Sequence, residues 1–259
     1  MKRRQFLAAS VGAMATMKTL ATARGKDSPV QREYLELRLY HTHVGAKKNL
    51  VGDFLRDVEI PAMNRIGVGP VGVFNAVYGP NSPTLWVLLV HKSLESVVNM
   101  SSLLMTDKEY LEKGAGYVNA PLSDPAYVRF ENSLLAAFTG MPKLQVPEPK
   151  KRIFELRIYE SHSVKTAKKK IEMFNEGGEI EIFLKTGLRP VFFGETIIGR
   201  NLPNLQYMLV FDDMADRDKR WSVFGSDPQW KKLSADPAYK DTVSNITDII
   251  LQPAAYSQI

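Results

Sequence analysis

The chain has 259 residues, no cysteine and a formal net charge of +6 at pH 7. The lack of cysteine excludes disulfides, thiolate metal sites, iron–sulfur clusters, cysteine nucleophiles and lipoprotein anchors. Four of the 34 basic residues and none of the 28 acidic residues fall within residues 1–23, so the remainder carries a charge of +2. Because nucleic-acid recognition needs a clustered basic surface, no nucleic-acid partner is expected.

The first 23 residues have the three parts of a secretory signal peptide. A basic start, residues 1–7 (MKRRQFL), precedes a moderately apolar stretch to Leu20, and small residues at 21–23 offer a cleavage site. The paired arginines resemble the twin-arginine signal of folded, exported proteins. The apolar stretch is shorter than the roughly 20 residues that span a bilayer. We expect cleavage after Ala23 and a periplasmic or secreted protein without a membrane anchor; the alternative is a disordered or amphipathic start.

The rest of the chain repeats one pattern twice. Residues 36–40 (ELRLY) return as residues 155–159 (ELRIY), and residues 124–127 (DPAY) return unchanged at 236–239. The displacement falls from about 120 to 112 residues between these matches, so the first copy has about eight additional residues around 114–121. The duplication covers nearly all of the chain after the leader.

A segment with three prolines and no apolar periodicity separates the copies. Such a composition is typical of a stiff linker. We therefore predict a first unit over residues 33–141, a linker over 142–152 and a second unit over 153–256.

Each copy is predicted to fold as β-α-β-β-α-β. The first strand alternates leucines with polar residues, a period of two, and apolar residues at helical spacing follow it. Pro61 is expected to kink the first helix. The predicted strands are 35–40, 71–78, 84–91 and 126–138 in the first copy, and 155–159, 191–198, 205–211 and 242–251 in the second.

This order of elements is that of a ferredoxin-like α+β unit. A four-stranded sheet with both helices on one face leaves its other face needing cover. Two copies in one chain can cover each other, so we predict an intramolecular α/β barrel of eight strands.

Five segments carry a resemblance to a known family. They are the repeated ELRLY and ELRIY strands, EIP at 59–61, GLRPVFFG at 187–194 and WSVFGSDPQWKKL at 221–233. They resemble the NIPSNAP family of the dimeric α/β-barrel group, over residues 34–256 and most specifically in the second copy. The first copy departs from the pattern at 107–110, where DKEY replaces DPQW.

The resemblance implies the fold more than an activity. NIPSNAP proteins have no generally agreed reaction, whereas other dimeric α/β-barrel families include cofactor-free monooxygenases, haem-degrading enzymes and simple binding proteins. No nucleotide-binding, serine-hydrolase or zincin motif is present in the sequence.

The polar face of each first strand is the most suggestive candidate site. If the leucines pack against the helices, this face points toward the other sheet and forms a polar cavity. Arginine forks and tyrosine hydroxyls there would bind an anionic or carbonyl-bearing small molecule. The alternative is a Glu–Arg ion-pair network covered by the tyrosines. The six candidate ligand-binding residues are Glu36, Arg38, Tyr40, Glu155, Arg157 and Tyr159.

Two further repeated pairs are candidates for chemistry. His43 and His162 follow the first strands, where a histidine can be a general base, a metal ligand or an axial haem ligand; the alternative is a polar strand-end residue. Glu59 and Glu179 on the first helices are bases if they face the cavity and otherwise solvated helix residues. No metal site is predicted.

The predicted function is binding of a small molecule between the two sheets, with no cofactor expected and a homo-oligomer left open. One alternative is a cofactor-free or haem-linked monooxygenase-like enzyme of the same fold group. The other is a protein–protein interaction module, which would pair through exposed sheet edges. Whether the chain is an enzyme stays open.

Overall fold

The computed structural model describes residues 30–77 and 83–259. The predicted signal peptide lies outside these ranges. The strands are β1 Tyr34–His41, β2 Val71–Ala76, β3 Thr84–His91, β4 Arg129–Ala137, β5 Ile153–Glu160, β6 Pro190–Ile198, β7 Asn204–Phe211 and β8 Asn245–Pro253. The helices are α1 Lys48–Phe54, α2 Ile60–Arg65, α3 Leu94–Leu104, α4 Lys108–Lys113, α5 Ala115–Val118, α6 Val164–Asn175, α7 Glu179–Lys185, α8 Met214–Ser226 and α9 Pro228–Ser234.

The eight strands close into one antiparallel barrel in the order β1-β3-β2-β8-β5-β7-β6-β4. Each copy contributes a four-stranded sheet, and the sheets join where β2 pairs with β8 and β4 pairs with β6. The predicted intramolecular α/β barrel is therefore confirmed. Every described strand has two neighbours, so the exposed sheet edges that motivated the interaction-module alternative are absent from this part of the chain.

The first helical region of each copy is interrupted. Between α1 and α2, residues Leu55–Glu59 form a π turn, in which the Ile60 N–H donates to the Leu55 carbonyl. Pro61 lacks an N–H and cannot continue the ordinary helical bonding, so the expected kink takes the form of this wider turn. In the second copy, Gly178 has a φ of 88°, which ends the predicted single helix and separates α6 from α7.

Both faces of each sheet are covered. Inward residues of the two copies, such as Leu37 and Leu156, form one apolar core inside the barrel. Outward residues form a separate core with the helices of their own copy. Each fully buried leucine of the barrel core contributes roughly 1.5–3 kcal/mol relative to an exposed one. No helix in the described ranges is both long and apolar enough to cross a membrane.

Candidate functional site

The polar face of β1 lies on the helix side of the sheet. Leu35 and Leu37 point into the barrel, whereas Glu36 and Arg38 are buried beneath the helices of the first copy. The same holds for β5 in the second copy, where Leu156 points inward. The prediction that the six polar side chains face the other sheet is thus wrong. The barrel core there is lined by apolar side chains, where charges would be costly, whereas the helices bring partners for the charges.

In the first copy, the polar residues form a hydrogen-bonded cluster around Glu36. Arg38 Nε donates to Glu36 Oε1 at 2.6 Å, and Asn132 Nδ2 donates to the same oxygen at 2.8 Å. The second carboxylate oxygen lies 3.1 Å from His91 Nε2. Burial acts to raise the pKa of Glu36, but the hydrogen bond with His91 and the charge of Arg38 outweigh it and lower the pKa to about 2. Glu36 and Arg38 are therefore a neutralised pair.

Glu59 is the second carboxyl group of this cluster. Its Oε1 accepts a hydrogen bond from Arg38 Nη1 at 3.3 Å, while its Oε2 is buried without a partner. Burial raises the pKa of Glu59, and the neighbouring Arg38 only partly opposes this rise. The interpretation of Glu59 as a solvated helix residue is wrong, since the side chain faces the sheet. The π turn that ends at Glu59 carries it there.

A cavity of about 410 Å³ lies over this cluster; we call it the helix-side pocket. Its floor includes Glu36, Arg38, Tyr40, Glu59 and Asn132, and mostly apolar and aromatic side chains of the helices, of β4 and of the loop before β4 complete its lining. Those further lining residues include Met100, Ser101, Leu104, Met105, Tyr110, Tyr117, Tyr127 and Phe130.

The additional residues of the first copy help to cover the pocket. They form α5, whose Tyr117 stacks on Phe54 with ring centroids 3.8 Å apart. Tyr127 contacts the ring of Tyr40 edge-on at 5.7 Å. The insertion that the sequence showed around residues 114–121 thus supplies part of the aromatic cover.

In the second copy, side chains fill the corresponding space. Trp221, which aligns with Ser101 at a displacement of 120 residues, donates from Nε1 to Glu155 Oε2 at 2.7 Å. Arg217, which aligns with Val97, donates to Glu155 Oε1 at 2.6 Å. A small residue and an apolar residue of the first copy are therefore replaced by two large side chains that close over the glutamate.

The remaining candidates of the second copy are also paired. The guanidinium of Arg157 lies 4.7 Å from the centroid of the Trp221 ring. The hydroxyl of Tyr159 accepts a hydrogen bond from Tyr207 at 2.9 Å. Lys170 Nζ contacts Glu179 Oε2 at 2.7 Å, and both side chains are buried. The interpretation of Glu179 as a solvated helix residue is therefore wrong, as it is for Glu59.

Comparisons with known proteins agree with this fold. Residues 154–258 match the family model described as NIPSNAP. The matched segment is the second copy, which we refer to as the NIPSNAP domain. A NIPSNAP-like protein from Burkholderia xenovorans is 23% identical over 41% of this chain and 89% of its own, with a TM-score of 0.38. No curated protein matches the sequence.

Two solved structures are similar over both copies. A protein from Fusobacterium nucleatum whose name proposes a monooxygenase has a TM-score of 0.57 and 12% identity, covering 86% of this chain and 93% of its own. A protein of the same description from Lactobacillus acidophilus has a TM-score of 0.55 and 11% identity, covering 86% and 94%. At these identities the likeness shows the fold alone.

The two strand-end histidines do not line the helix-side pocket. His43 is half-buried with an unpartnered Nε2, and His162, in the NIPSNAP domain, is exposed. Within the described ranges, no group of three or more His, Asp or Glu side chains is arranged to hold a metal ion.

The sequence alone did not identify several residues that line the pocket, among them Ser101, Tyr117 and Asn132. The alignment of the two copies contained a signal for the first, because Ser101 stands where the NIPSNAP domain has Trp221. A small residue opposite a large one at equivalent helix positions indicates space in one copy only. Tyr117 lies in the insertion and has no equivalent to compare.

Glu59→Gln is expected to reduce the pH dependence of stability. Burial raises the folded-state pKa of Glu59 above the unfolded value of about 4.3, so the folded protein retains a proton that the unfolded chain releases. This contribution makes the wild-type free energy of unfolding fall as pH rises from about 4.3 through the raised folded pKa. The variant lacks this proton-linked contribution, so its stability relative to wild type should increase over this pH range. Urea unfolding between pH 4 and 8 measures this; parallel curves for the two proteins would contradict the assignment.

Proposed function

We propose that the helix-side pocket of the first copy binds a small, planar aromatic molecule that carries a hydroxyl or carbonyl group. The observation that carries this proposal is the difference between the two copies. The same polar cluster is sealed by Trp221 and Arg217 in the NIPSNAP domain and lies under an open cavity in the first copy, where Ser101 and Val97 stand instead.

The sequence left an anionic and a carbonyl-bearing ligand both open, and the charges of the floor favour a neutral ligand. The positive charge of Arg38 is already balanced by Glu36. The raised pKa of Glu59 favours its neutral form, whose O–H donates to a ligand carbonyl and whose carbonyl oxygen accepts from a ligand hydroxyl. A buried Oε2 without a partner costs about 1–3 kcal/mol, and such a ligand removes this cost.

The walls favour an aromatic ring. Tyr110, Tyr127 and Phe130 present ring faces and edges, which pair with aromatic ligands at about 0.5–1.5 kcal/mol beyond the area they bury. Met100 and Met105 add polarizable thioethers that adapt to flat ligands. A pocket with apolar walls and a few convergent polar groups is the usual form of a small-molecule site.

A second candidate function is cofactor-free oxygenation of such a ligand. Similar structures include the proteins named above and one described as anthrone oxidase-like, with a TM-score of 0.50 and 10% identity. Glu59 favours this alternative because its ionised form, made more basic by the raised pKa, can take a proton from an activated substrate. In the oxidation of an anthrone, one oxygen atom of O₂ becomes the new carbonyl and the other leaves as water with two substrate hydrogens.

A haem-linked reaction does not fit this pocket. An axial ligand to haem iron is usually a histidine, cysteine, methionine or tyrosine side chain. The chain has no cysteine, and the pocket lining has no histidine, so only methionine and tyrosine side chains are left as candidate axial ligands. The pocket therefore lacks the histidine and thiolate ligands that most haem proteins use, and we propose no step through haem.

Ser101→Trp is expected to weaken binding at least 100-fold. The tryptophan would occupy the space that Trp221 occupies in the NIPSNAP domain, where the same fold accommodates it. The probe is 1,8-dihydroxyanthrone, and isothermal titration calorimetry under nitrogen measures its affinity. A 100-fold loss corresponds to about 2.7 kcal/mol.

Ser102→Trp is the matched control. It places the same side chain on the next residue of α3, an exposed position outside the pocket lining, and should leave the affinity within about twofold. No binding by wild type, or equal effects of the two tryptophans, would refute the proposal. Admitting oxygen to the wild-type complex then separates the two functions, since only an oxygenase forms anthraquinone faster than the protein-free solution.

A further inference from the structure

The open end of the barrel holds a second cavity, of about 440 Å³, separate from the helix-side pocket. We call it the barrel-mouth cavity; residues that line it include Leu39, His41, Trp86, Glu131, Arg200 and Gln206. It lies between the two sheets, where a cavity was expected from the sequence, but inward-pointing residues line it in place of the Glu-Arg-Tyr face.

The pattern of inward residues explains why the cavity exists. Along β1, the inward residues Leu35 and Leu37 meet large apolar side chains from both copies and close that end of the barrel. Toward the other end, among larger residues such as Trp86, some inward positions carry small polar residues, such as Thr84 and Ser133. Their side chains do not reach across the barrel, so space remains at this end.

A chain of hydrogen bonds orients the amide of Gln206 in this cavity. Asn204 Nδ2 donates to the backbone carbonyls of Arg200 and Asn201 at 2.8 and 3.0 Å. Asn204 Oδ1 must then be the acceptor, and it receives the Thr196 hydroxyl at 2.6 Å. Because that hydroxyl has given its proton to Asn204, Thr196 Oγ1 accepts from Gln206 Nε2 at 3.1 Å.

This chain leaves Gln206 Oε1 as an acceptor without a partner. Gln206 is only 3% exposed, and its Oε1 is buried with no hydrogen bond. Flipping the amide would turn its carbonyl toward Thr196, whose proton is already used. An unsatisfied buried carbonyl is costly, so the site favours a ligand that donates a hydrogen bond.

The ionic groups of the mouth are already paired. His41 Nε2 lies 3.1 Å from Glu131 Oε1, and Arg200 Nη1 contacts Glu131 Oε2. A charged ligand is therefore not required. Trp86, Leu39 and Ile158 offer an apolar wall beside the polar groups.

We propose that the barrel-mouth cavity is a second ligand site, which takes a small neutral aromatic alcohol or phenol. Its ring packs along Trp86, and its hydroxyl donates to Gln206 Oε1. This site does not depend on the function proposed for the helix-side pocket.

Fluorine NMR on wild-type protein tests this site directly. The chain has three tryptophans, so labelling with 5-fluorotryptophan yields three signals, and Trp86→Phe identifies the one from residue 86. Titration with 2-naphthol should shift the Trp86 signal in a saturable manner and leave those of Trp221 and Trp230, which pack in the second copy's helical core, unchanged. The ether 2-methoxynaphthalene, which has the same rings but no donor, should bind at least 10-fold more weakly.

Three variants distinguish the barrel-mouth site from binding elsewhere on the protein. Gln206→Leu should weaken 2-naphthol about 10-fold without affecting the ether, and Leu39→Trp, which fills the cavity, should abolish both responses. Ser101→Trp, which closes the helix-side pocket, should leave the Trp86 response intact. Equal affinity for alcohol and ether, or no Trp86 shift, would overturn the proposal. If Gln206→Leu does not fold, the comparison of the two probes on wild type decides alone.

Discussion

Lys170→Leu is expected to lower the free energy of unfolding by about 3–5 kcal/mol at pH 7. Lys170 Nζ and Glu179 Oε2 are 2.7 Å apart, and the two residues are 5% and 2% exposed. Removing the lysine leaves a carboxyl group buried without its only ionic partner among the described residues. Leucine is the residue that the first copy has at the aligned position, Leu50, so the shape suits the fold. Guanidinium unfolding monitored by circular dichroism measures the loss.

The double variant Lys170→Leu/Glu179→Leu is the control for this prediction. Replacing a buried ion pair by apolar residues of similar volume is often neutral or stabilising, so the second substitution should restore most of the stability. Burial raises the pKa of Glu179, so the stability of the single variant should fall as pH rises from about 4.3 and be better preserved at low pH. A single variant as stable as wild type would contradict the prediction.

Trp221→Ser is expected to cost about 3 kcal/mol, the lower end of the range for large-to-small substitutions of aromatic core residues, because the side chain is only half-buried. The indole donates to the completely buried Glu155 and stacks over Arg157. Serine, the residue found at the aligned position of the first copy, loses the packing and the donor together. Thermal and guanidinium unfolding measure the change.

Trp221→Phe separates packing from hydrogen bonding. It retains an aromatic ring and removes the Nε1 donor, so it should cost about 1.5–3 kcal/mol, the contribution of a hydrogen bond to a charged group. A loss below about 1 kcal/mol for Trp221→Ser would mean that the second copy can collapse into the vacated space. The presence of Trp221 in the second copy would then not explain why only the first copy has an open pocket.

The fold could be predicted from local patterns and from the repeat. The alternation in residues 35–40 indicated a strand, the helical spacing after it indicated a helix, and the recurrence of both near residue 155 indicated two units that cover each other. Turns were less predictable: the strand expected over 71–78 ends at Ala76, and one helix became two at Gly178.

The candidate site could be predicted only in part. The sequence singled out Glu36, Arg38 and Tyr40 as a group, and the structure brings them together with Glu59. The predicted direction of these side chains was wrong, because alternation along a strand distinguishes its two faces without showing what covers each face. Both faces of these sheets are buried, one by helices and one by the other sheet. The repeated glutamates, Glu59 and Glu179, were the signal in the sequence that the helices carry charge, and in the structure Glu59 pairs with Arg38 of the strand.

The sequence by itself determined the duplicated α+β units, the residue types on each strand face and the difference between Ser101 and Trp221. These follow from spacing and identity, which act over a few residues or between aligned positions. Tertiary structure alone decided which face turned inward, that Glu59 kept an unpartnered oxygen and that Gln206 was oriented by Asn204. Those outcomes depend on contacts between residues distant in sequence, since burial and hydrogen-bond partners arise only when the barrel closes.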